Sequence, residues 1–312
     1  MPEKRKSLSN YIAPKYWPIW FLMAILRIIC LLPGKSPLII GKLLGKIAYY
    51  FSKSRCFIIK RNIELCFPNL NPFEKKSLVI EHFKALGMML IEMGLGRWAS
   101  DKYLKSITLI NGIDYLKKAQ EDGHGVILLS AHFTTLEISG RVLAAEGLPF
   151  DSVYRKNKNE FIDEIQRSGR ERTVEETIEK QDIKKMVRNL RAGKTVWYAP
   201  DQSYNRKGAE VIDFFGIPSM HTTAISRLAQ LGNAIVIPYF PRRLKKGTYE
   251  ITLLEPLTDF PSKDPIADTK RYVNILEDRI KMCPEQYFWV HRKFKNLPNK
   301  YPNFYGDLDV SK

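Results

Sequence analysis

The chain has 312 residues, room for one large or two small domains, and its 45% hydrophobic content can bury a sizeable core, which excludes a disordered chain. The 50 Lys and Arg outnumber the 33 Asp and Glu, and the net charge of +17 points to anionic partners: nucleic acid, an anionic membrane surface or an acidic protein. Cys30, Cys56, Cys66 and Cys283 have no CxxC or other metal-type spacing, and no P-loop is present, so neither a zinc site nor a nucleotide cradle is expected; the thiols read as reduced and mostly buried in a cytosolic setting.

In chain order, Lys4, Arg5, Lys6 and Lys15 precede an apolar run from Trp17 to Pro33. A basic start before an apolar run is the outline of a signal peptide, yet no small-residue cleavage site follows. Pro33-Gly34-Lys35-Ser36-Pro37 makes a turn instead, and a second apolar stretch, Leu38 to Phe51, carries Lys42 and Lys46 one helical turn apart. Trp17, Trp20, Tyr49 and Tyr50 are the amphipathic aromatics suited to the headgroup level of a bilayer. The first run falls short of the ~20 apolar residues of a clean span, and Arg27 interrupts it. Positive charge also follows the second run, at Lys53, Arg55, Lys60 and Arg61, which puts both flanks in the cytoplasm. Residues 1–52 are therefore expected to form a basic segment and membrane-anchoring helices, as a shallow hairpin or interfacial pair rather than a single crossing, with a buried core helix as the alternative.

Residues 53 to 105 read as helical. One helix stops at Pro68, and Asn71-Pro72-Phe73-Glu74 opens a long amphipathic run to about Trp98, with Pro72 in the first turn. Met88, Met89 and Met93 on that run are suited to core packing or to an acyl pocket, and His82 reads as structural. From Ile107 the pattern becomes an alternation of short strands and helices. Strands are predicted at Ile107–Ile110, Gly125–Ser130, Asp151–Tyr154, Thr195–Ala199, Ala234–Tyr239 and Tyr249–Leu254, the last of them antiparallel. Helices are predicted at Gly112–Gln120, Leu136–Glu146, Asn159–Arg170, Ile183–Leu190, His221–Leu231 and Thr269–Met282. This alternation predicts an α/β domain over 53–298, with a mainly parallel mixed sheet flanked by helices and a helical N-terminal part, followed by a tail at 299–312. Arg242-Arg243-Leu244-Lys245-Lys246-Gly247 reads as a solvated hairpin tip and His124 as a turn residue.

The chemistry concentrates at Ala131-His132-Phe133-Thr134-Thr135-Leu136-Glu137, where a strand ends and a helix begins. His132 can face a pocket there, while Glu137, five residues on and about one turn inside the helix, holds its other ring nitrogen. Such a pair suits general-base chemistry on a hydroxyl. Arg155 and Asp201 also follow predicted strands, and ligand chemistry in parallel sheets collects at the carboxyl ends of strands.

An ordered series of blocks makes a resemblance specific. His132-x4-Glu137 matches the H-x4-(D/E) motif of glycerolipid-type acyltransferases. Val153-Tyr154-Arg155, Trp197-Tyr198-Ala199-Pro200-Asp201-Gln202, Phe214-Phe215-Gly216-Ile217-Pro218, Thr222-Thr223 and Ser226-Arg227-Leu228-Ala229 follow, closed by the run from Pro284 to Lys295. In this order the chain, from about residue 15 to 298, resembles the late acyltransferases of lipid A biosynthesis, the lauroyl/myristoyl transferase family. Mycobacterial phosphatidylinositol mannoside acyltransferases share the superfamily, but the closing block fits the lipid A branch better.

The resemblance implies an enzyme anchored at the cytoplasmic face of a Gram-negative inner membrane. It would move a fatty acyl chain from acyl carrier protein to a hydroxyl of a Kdo-lipid IVA type precursor, forming an acyloxyacyl ester, with no cofactor, no metal and no covalent acyl-enzyme. His132 and Glu137 are the expected catalytic residues. The developing oxyanion is assigned to backbone amides near Phe133–Thr135, to Arg170 or to Arg155, and Asp201 of the family's P-D block is expected to orient a substrate hydroxyl or pair with an arginine. Gln202 follows that Asp at a position of weaker signal; Thr222 and Thr223 suit a helix cap, and His291 reads as fold support or as a surface element near donor or membrane. The charge of +17 then has three candidate consumers: acyl carrier protein, the anionic lipid A precursor and the anionic membrane. Two other classes stand beside the transferase. One is a thioesterase using the same His/Glu pair on water. The other is a basic non-catalytic module, which the absence of RRM, KH and helix-turn-helix signatures disfavours, so no nucleic acid is expected as a partner.

Overall fold

The computed structural model describes residues 8–154, 156–170 and 173–306. Helices α1 (Trp17–Cys30), α2 (Ser36–Phe51), α3 (Lys53–Cys66), α4 (Pro72–Trp98) and α5 (Asp101–Ser106) precede the sheet. Then come β1 (Thr108–Asn111), α6 (Ile113–Glu121), β2 (Gly125–Leu129), α7 (Leu136–Ala145), β3 (Asp151–Tyr154), α8 (Glu160–Arg170), β4 (Thr177–Glu179), α9 (Ile183–Arg191) and β5 (Thr195–Tyr198). The chain continues through β6 (Ala209–Phe214), β7 (Ile217–Thr222), α10 (Ala224–Gly232), β8 (Ala234–Arg243), β9 (Tyr249–Leu253) and α11 (Pro265–Met282).

Seven strands form one sheet in the order β1-β9-β8-β2-β5-β3-β4, parallel throughout except for the antiparallel β8–β9 hairpin. This is the mixed, mainly parallel α/β sheet that the alternation predicts. β2 lies at its centre, and all five of its residues are buried, which is why that segment is an unbroken apolar run rather than an alternating one. Its side chains still alternate by face. Ile127 and Leu129 join a core that includes Ile59 of α3, Leu190 of α9, Leu228 of α10 and Leu276 of α11, whereas Val126 and Leu128 join Leu116 of α6 and Val142 of α7. α4 serves both cores, through Val79 and Phe83 on one side and Ile91 and Leu95 on the other. Its start is fixed by the capping box, in which Asn71 accepts from the amides of Phe73 and Glu74 while the Glu74 carboxylate accepts from the Asn71 amide.

Several segments differ from the sequence reading. β6 and β7 form a separate antiparallel hairpin whose turn is Phe215 and Gly216, both in the left-handed region. His221, predicted to open a helix, is the penultimate residue of β7, and α10 begins at Ala224, where the Thr222 hydroxyl accepts from the Ala224 amide. α11 begins at Pro265 rather than Thr269, because Asp264 caps the amides of Ile266 and Ala267. At the β8–β9 tip, Arg243 is not solvated: it is buried and forms two bonds to Glu92 of α4, at 2.6 and 2.9 Å, and Arg242 pairs with Glu250.

The N-terminal helices are short. Among the described residues no helix is long and apolar enough to cross a membrane. α1 buries none of its residues, and Trp17, Phe21, Leu22 and Ile28 on it, with Leu43 and Phe51 on α2, are exposed. α2 lies against α4 at a close crossing of small residues: a Cβ on Gly45 would sit 2.1 Å from the Phe83 carbonyl oxygen, and one on Gly87 would sit 2.0 Å from that of Gly41. The backbones touch only because these positions are glycine. At the other end, Tyr305 is buried, accepts a bond from the Phe294 amide at 3.2 Å and donates to Asn62 of α3.

Candidate active site

The site is built where β2 and β5 end side by side. The two strands pair in parallel, with Leu129 opposite Tyr198. His132 and Asp201 each lie three residues beyond that pair, so parallel register alone carries them to the same edge of the sheet. The Ser130 amide donates to the Tyr198 carbonyl and the buried Tyr272 hydroxyl donates to the Ser130 carbonyl, which fixes the strand end. The closing block then clamps the corner. The Thr134 amide donates to the Gln286 carbonyl and the Phe288 amide to the His132 carbonyl, a two-bond bridge between Phe133 and Tyr287. Thr134 is thereby removed from the candidate oxyanion amides.

Asp201, not Glu137, holds the imidazole. One Asp201 oxygen lies 2.6 Å from His132 Nδ1, and the other accepts the His132 amide at 3.1 Å. Glu137 was expected on that nitrogen. Its carboxylate instead forms a two-pronged pair with the Arg170 guanidinium, and among the described residues no hydrogen bond joins it to His132. The five-residue spacing puts Glu137 in the first turn of α7, where α8 presents Arg170 to it, while the in-register neighbour strand supplies the carboxylate for His132.

The electrostatics follow from burial and pairing. Burial of Asp201 favours its protonated form, but the His132 charge, the two hydrogen bonds from the His132 ring and amide, and nearby Lys293 outweigh this and hold the carboxyl down to about 2. Burial likewise opposes protonation of His132, and Lys180 and Arg170 add to that; the charge and hydrogen bond of Asp201 win, so the imidazole's pKa is raised above 6.5. With Nδ1 committed to Asp201, Nε2 is the nitrogen free to take a proton, and the His132 side chain keeps 32% of its surface exposed against 2% for Asp201.

Three residues of weaker sequence signal join the site. The Gln202 amide nitrogen lies 3.4 Å from His132 Nε2 and 3.3 Å from His291 Nε2, so His291 is a site neighbour. Lys293 is buried and donates to the Asp201 carbonyl at 2.6 Å, which holds the Pro-Asp loop from beneath; burial lowers its pKa to about 8. It also lies over the Phe214 ring and 3.5 Å from His221 Nε2, and His221, depressed by burial and by the Lys293 charge, contacts the Ser219 hydroxyl at 2.7 Å. Gln202 carried a weak signal as the residue after the Pro-Asp pair, and His291 and Lys293 only the aromatic-basic composition of the closing block.

Glu137 and Arg170 stand at the junction of two small cavities. One, of about 30 Å³, runs under Phe150 and Trp197, and the other, of about 130 Å³, runs between Met23, Leu26, Leu90 and Met93. Of the methionine stripe, Met93 lines the second, while Met88 is buried with Leu38 and Ala85. Arg97 of α4 donates to the Ile165 carbonyl at 3.0 Å and to the Ser168 hydroxyl, which docks α8 on α4. Arg155 lies outside the described residues. Burial pushes the Cys30 thiol up to about 11 and that of Cys283 to about 12, so neither is a ready nucleophile at neutral pH. Among the described residues no cluster of three His, Cys, Asp or Glu could hold a metal ion.

The geometry can activate a nucleophilic hydroxyl or water at Nε2. The family profile described as bacterial lipid A biosynthesis acyltransferase matches residues 4–296. The lipid A biosynthesis lauroyltransferase of Escherichia coli is 34% identical over 98% of this chain and 100% of its own length. A lipid A biosynthesis acyltransferase of Haemophilus influenzae is 35% identical over 95% and 96%, and the lipid A biosynthesis palmitoleoyltransferase of Escherichia coli is 33% identical over 94% and 96%.

Proposed function

The chain belongs to the bacterial lipid A biosynthesis acyltransferases, and within that family we propose that it moves a fatty acyl group from an acyl carrier protein thioester to a hydroxyl of a Kdo-lipid IVA type precursor, with His132 as general base and Asp201 as its partner. The observation that carries this reading is the His132–Asp201 contact at 2.6 Å, with Nε2 on the open side of the ring.

His132 Nε2 takes the proton of the acceptor hydroxyl as that oxygen bonds to the thioester carbonyl carbon. Asp201 stabilises the imidazolium that forms. The tetrahedral intermediate then collapses, the carbon–sulfur bond breaks, and the proton passes from the imidazolium to the departing sulfur, leaving an ester and a free thiol. The oxyanion is assigned to the Arg170 guanidinium, which is close enough to His132 for its charge to oppose protonation and is aimed by Glu137. Glu137 thus serves by positioning Arg170 rather than the base.

The exposed apolar residues of α1 and α2, with Lys35, Lys42 and Lys46 beside them, suit an interfacial seat on an anionic leaflet, and we assign the protein to the cytoplasmic face of the inner membrane on that basis. Mass spectrometry of lipid A from a deletion strain tests the activity. Loss of a single secondary acyl chain, restored by the wild-type gene and not by His132→Ala, is expected; an unchanged lipid A profile contradicts it.

A further inference from the structure

A groove of about 740 Å³ lies between α9 and α10, away from the Glu137–Arg170 cavities. Its floor is apolar, with Val187, Leu228 and the exposed Ile183 and Leu231. Four exposed cations, Lys184, Arg188, Arg191 and Arg227, ring it, and no acidic side chain lines it. Arg191 donates to the Leu231 carbonyl at 2.7 Å, but among the described residues no carboxylate lies within ion-pair distance of Lys184, Arg188 or Arg227. Elsewhere on the surface several lysines are neutralised, such as Lys185 by Glu176 and Lys194 by Glu175. An unneutralised ring around an apolar floor is costly to maintain by self-repulsion and matches an amphipathic, acidic helix in both charge and shape.

The groove also leads to the chemistry. α9 precedes β5 and α10 precedes β8, and a helix feeding a parallel strand runs opposite to it. The first turns of both helices, with Ile183, Lys184 and Arg227, therefore lie toward the strand edge that carries His132. At that end the groove is walled by Tyr198 and Tyr204, which bracket Asp201 and Gln202 in the chain. α1 and α2 pack on α4 instead, so a partner on α9 and α10 does not compete with them for their exposed apolar residues.

We propose that the α9–α10 groove is the docking site for the acidic carrier protein that delivers the acyl thioester, received through Lys184, Arg188 and Arg227. This rests on the carrier-borne donor proposed above. Steering by such a ring raises the encounter rate, by as much as ~10–10³ in favourable cases, and leaves the chemical step alone. The test compares two donors, acyl carrier protein thioester and the corresponding protein-free acyl-pantetheine, in the wild type and in an Arg188→Glu/Arg227→Glu variant. The expected result is a KM for the carrier-borne donor raised about tenfold or more, with turnover of acyl-pantetheine unchanged. An unchanged KM for the carrier-borne donor overturns the docking site, and so does an equal loss with both donors, or loss of binding to anionic phosphatidylglycerol vesicles without any change in KM. If the wild type uses acyl-pantetheine as efficiently as the carrier thioester, the donor reading itself fails, and the two failures are separate.

Discussion

Replacing Asp201 by Asn keeps the side chain's size and removes its charge. In the wild type the carboxyl is held at about 2 against an ordinary 3.8, a preference for the charged form on the order of 2 kcal/mol. Much of that comes from His132, and the coupling is reciprocal: what protonated His132 does for Asp201, the carboxylate does for the imidazolium. Without it, burial, Lys180 and Arg170 act unopposed on the ring, and its pKa drops from above 6.5 to below. The neutral imidazole is the active form, so kcat/KM of the wild type rises with pH and levels off above the raised pKa. In Asp201→Asn the acid limb moves to lower pH while the plateau falls by about 10²–10⁴, since a weaker base in an unfixed tautomer meets the hydroxyl. A pH series of initial rates from 5 to about 9 reads both effects. An acid limb that coincides with the wild type's, or that moves to higher pH, refutes the pairing as the source of the base's strength.

Glu137→Gln and Arg170→Lys are each expected to lower kcat, and the double variant to lose little more than either alone, because the two side chains act as one unit; a coupling energy of about 1 kcal/mol or more in the double-mutant cycle is the signature. Gly45→Ala drives a methyl into the Phe83 carbonyl at the α2–α4 crossing and should destabilise by about 1–3 kcal/mol, seen as a lower Tm. Glu92→Gln strips the buried Arg243 of its counter-charge and should cost about 3–5 kcal/mol in denaturant unfolding.

The catalytic corner was legible because it was local. A buried central strand reads as an unbroken apolar run, and the residue beyond it must stand at the sheet's functional edge, so His132 could be placed from its own neighbours. Its partner could not. Asp201 reaches His132 only through the adjacency of β2 and β5 and their register, and neither follows from hydrophobic periodicity. Proximity in sequence favoured Glu137, which the fold gives to Arg170. Lys293 and His291 were hidden for the same reason, arriving from a block more than 150 residues downstream of His132. The β6–β7 hairpin was a different omission. Its alternating run ends at the two-residue turn Phe215-Gly216, a pattern that signals a hairpin when a glycine supplies the positive φ. Reading those residues as a motif block obscured it.

The central claim is that a neutral His132, backed by Asp201, removes the proton of a lipid hydroxyl. Single-turnover transfer from labelled acyl carrier thioester to purified precursor, followed for the wild type and for His132→Ala, tests it most directly. The account predicts a labelled acyloxyacyl product from the wild type and a first-order rate lower by at least about 10² in the variant, with precursor binding retained. Equal rates in the two proteins would contradict it.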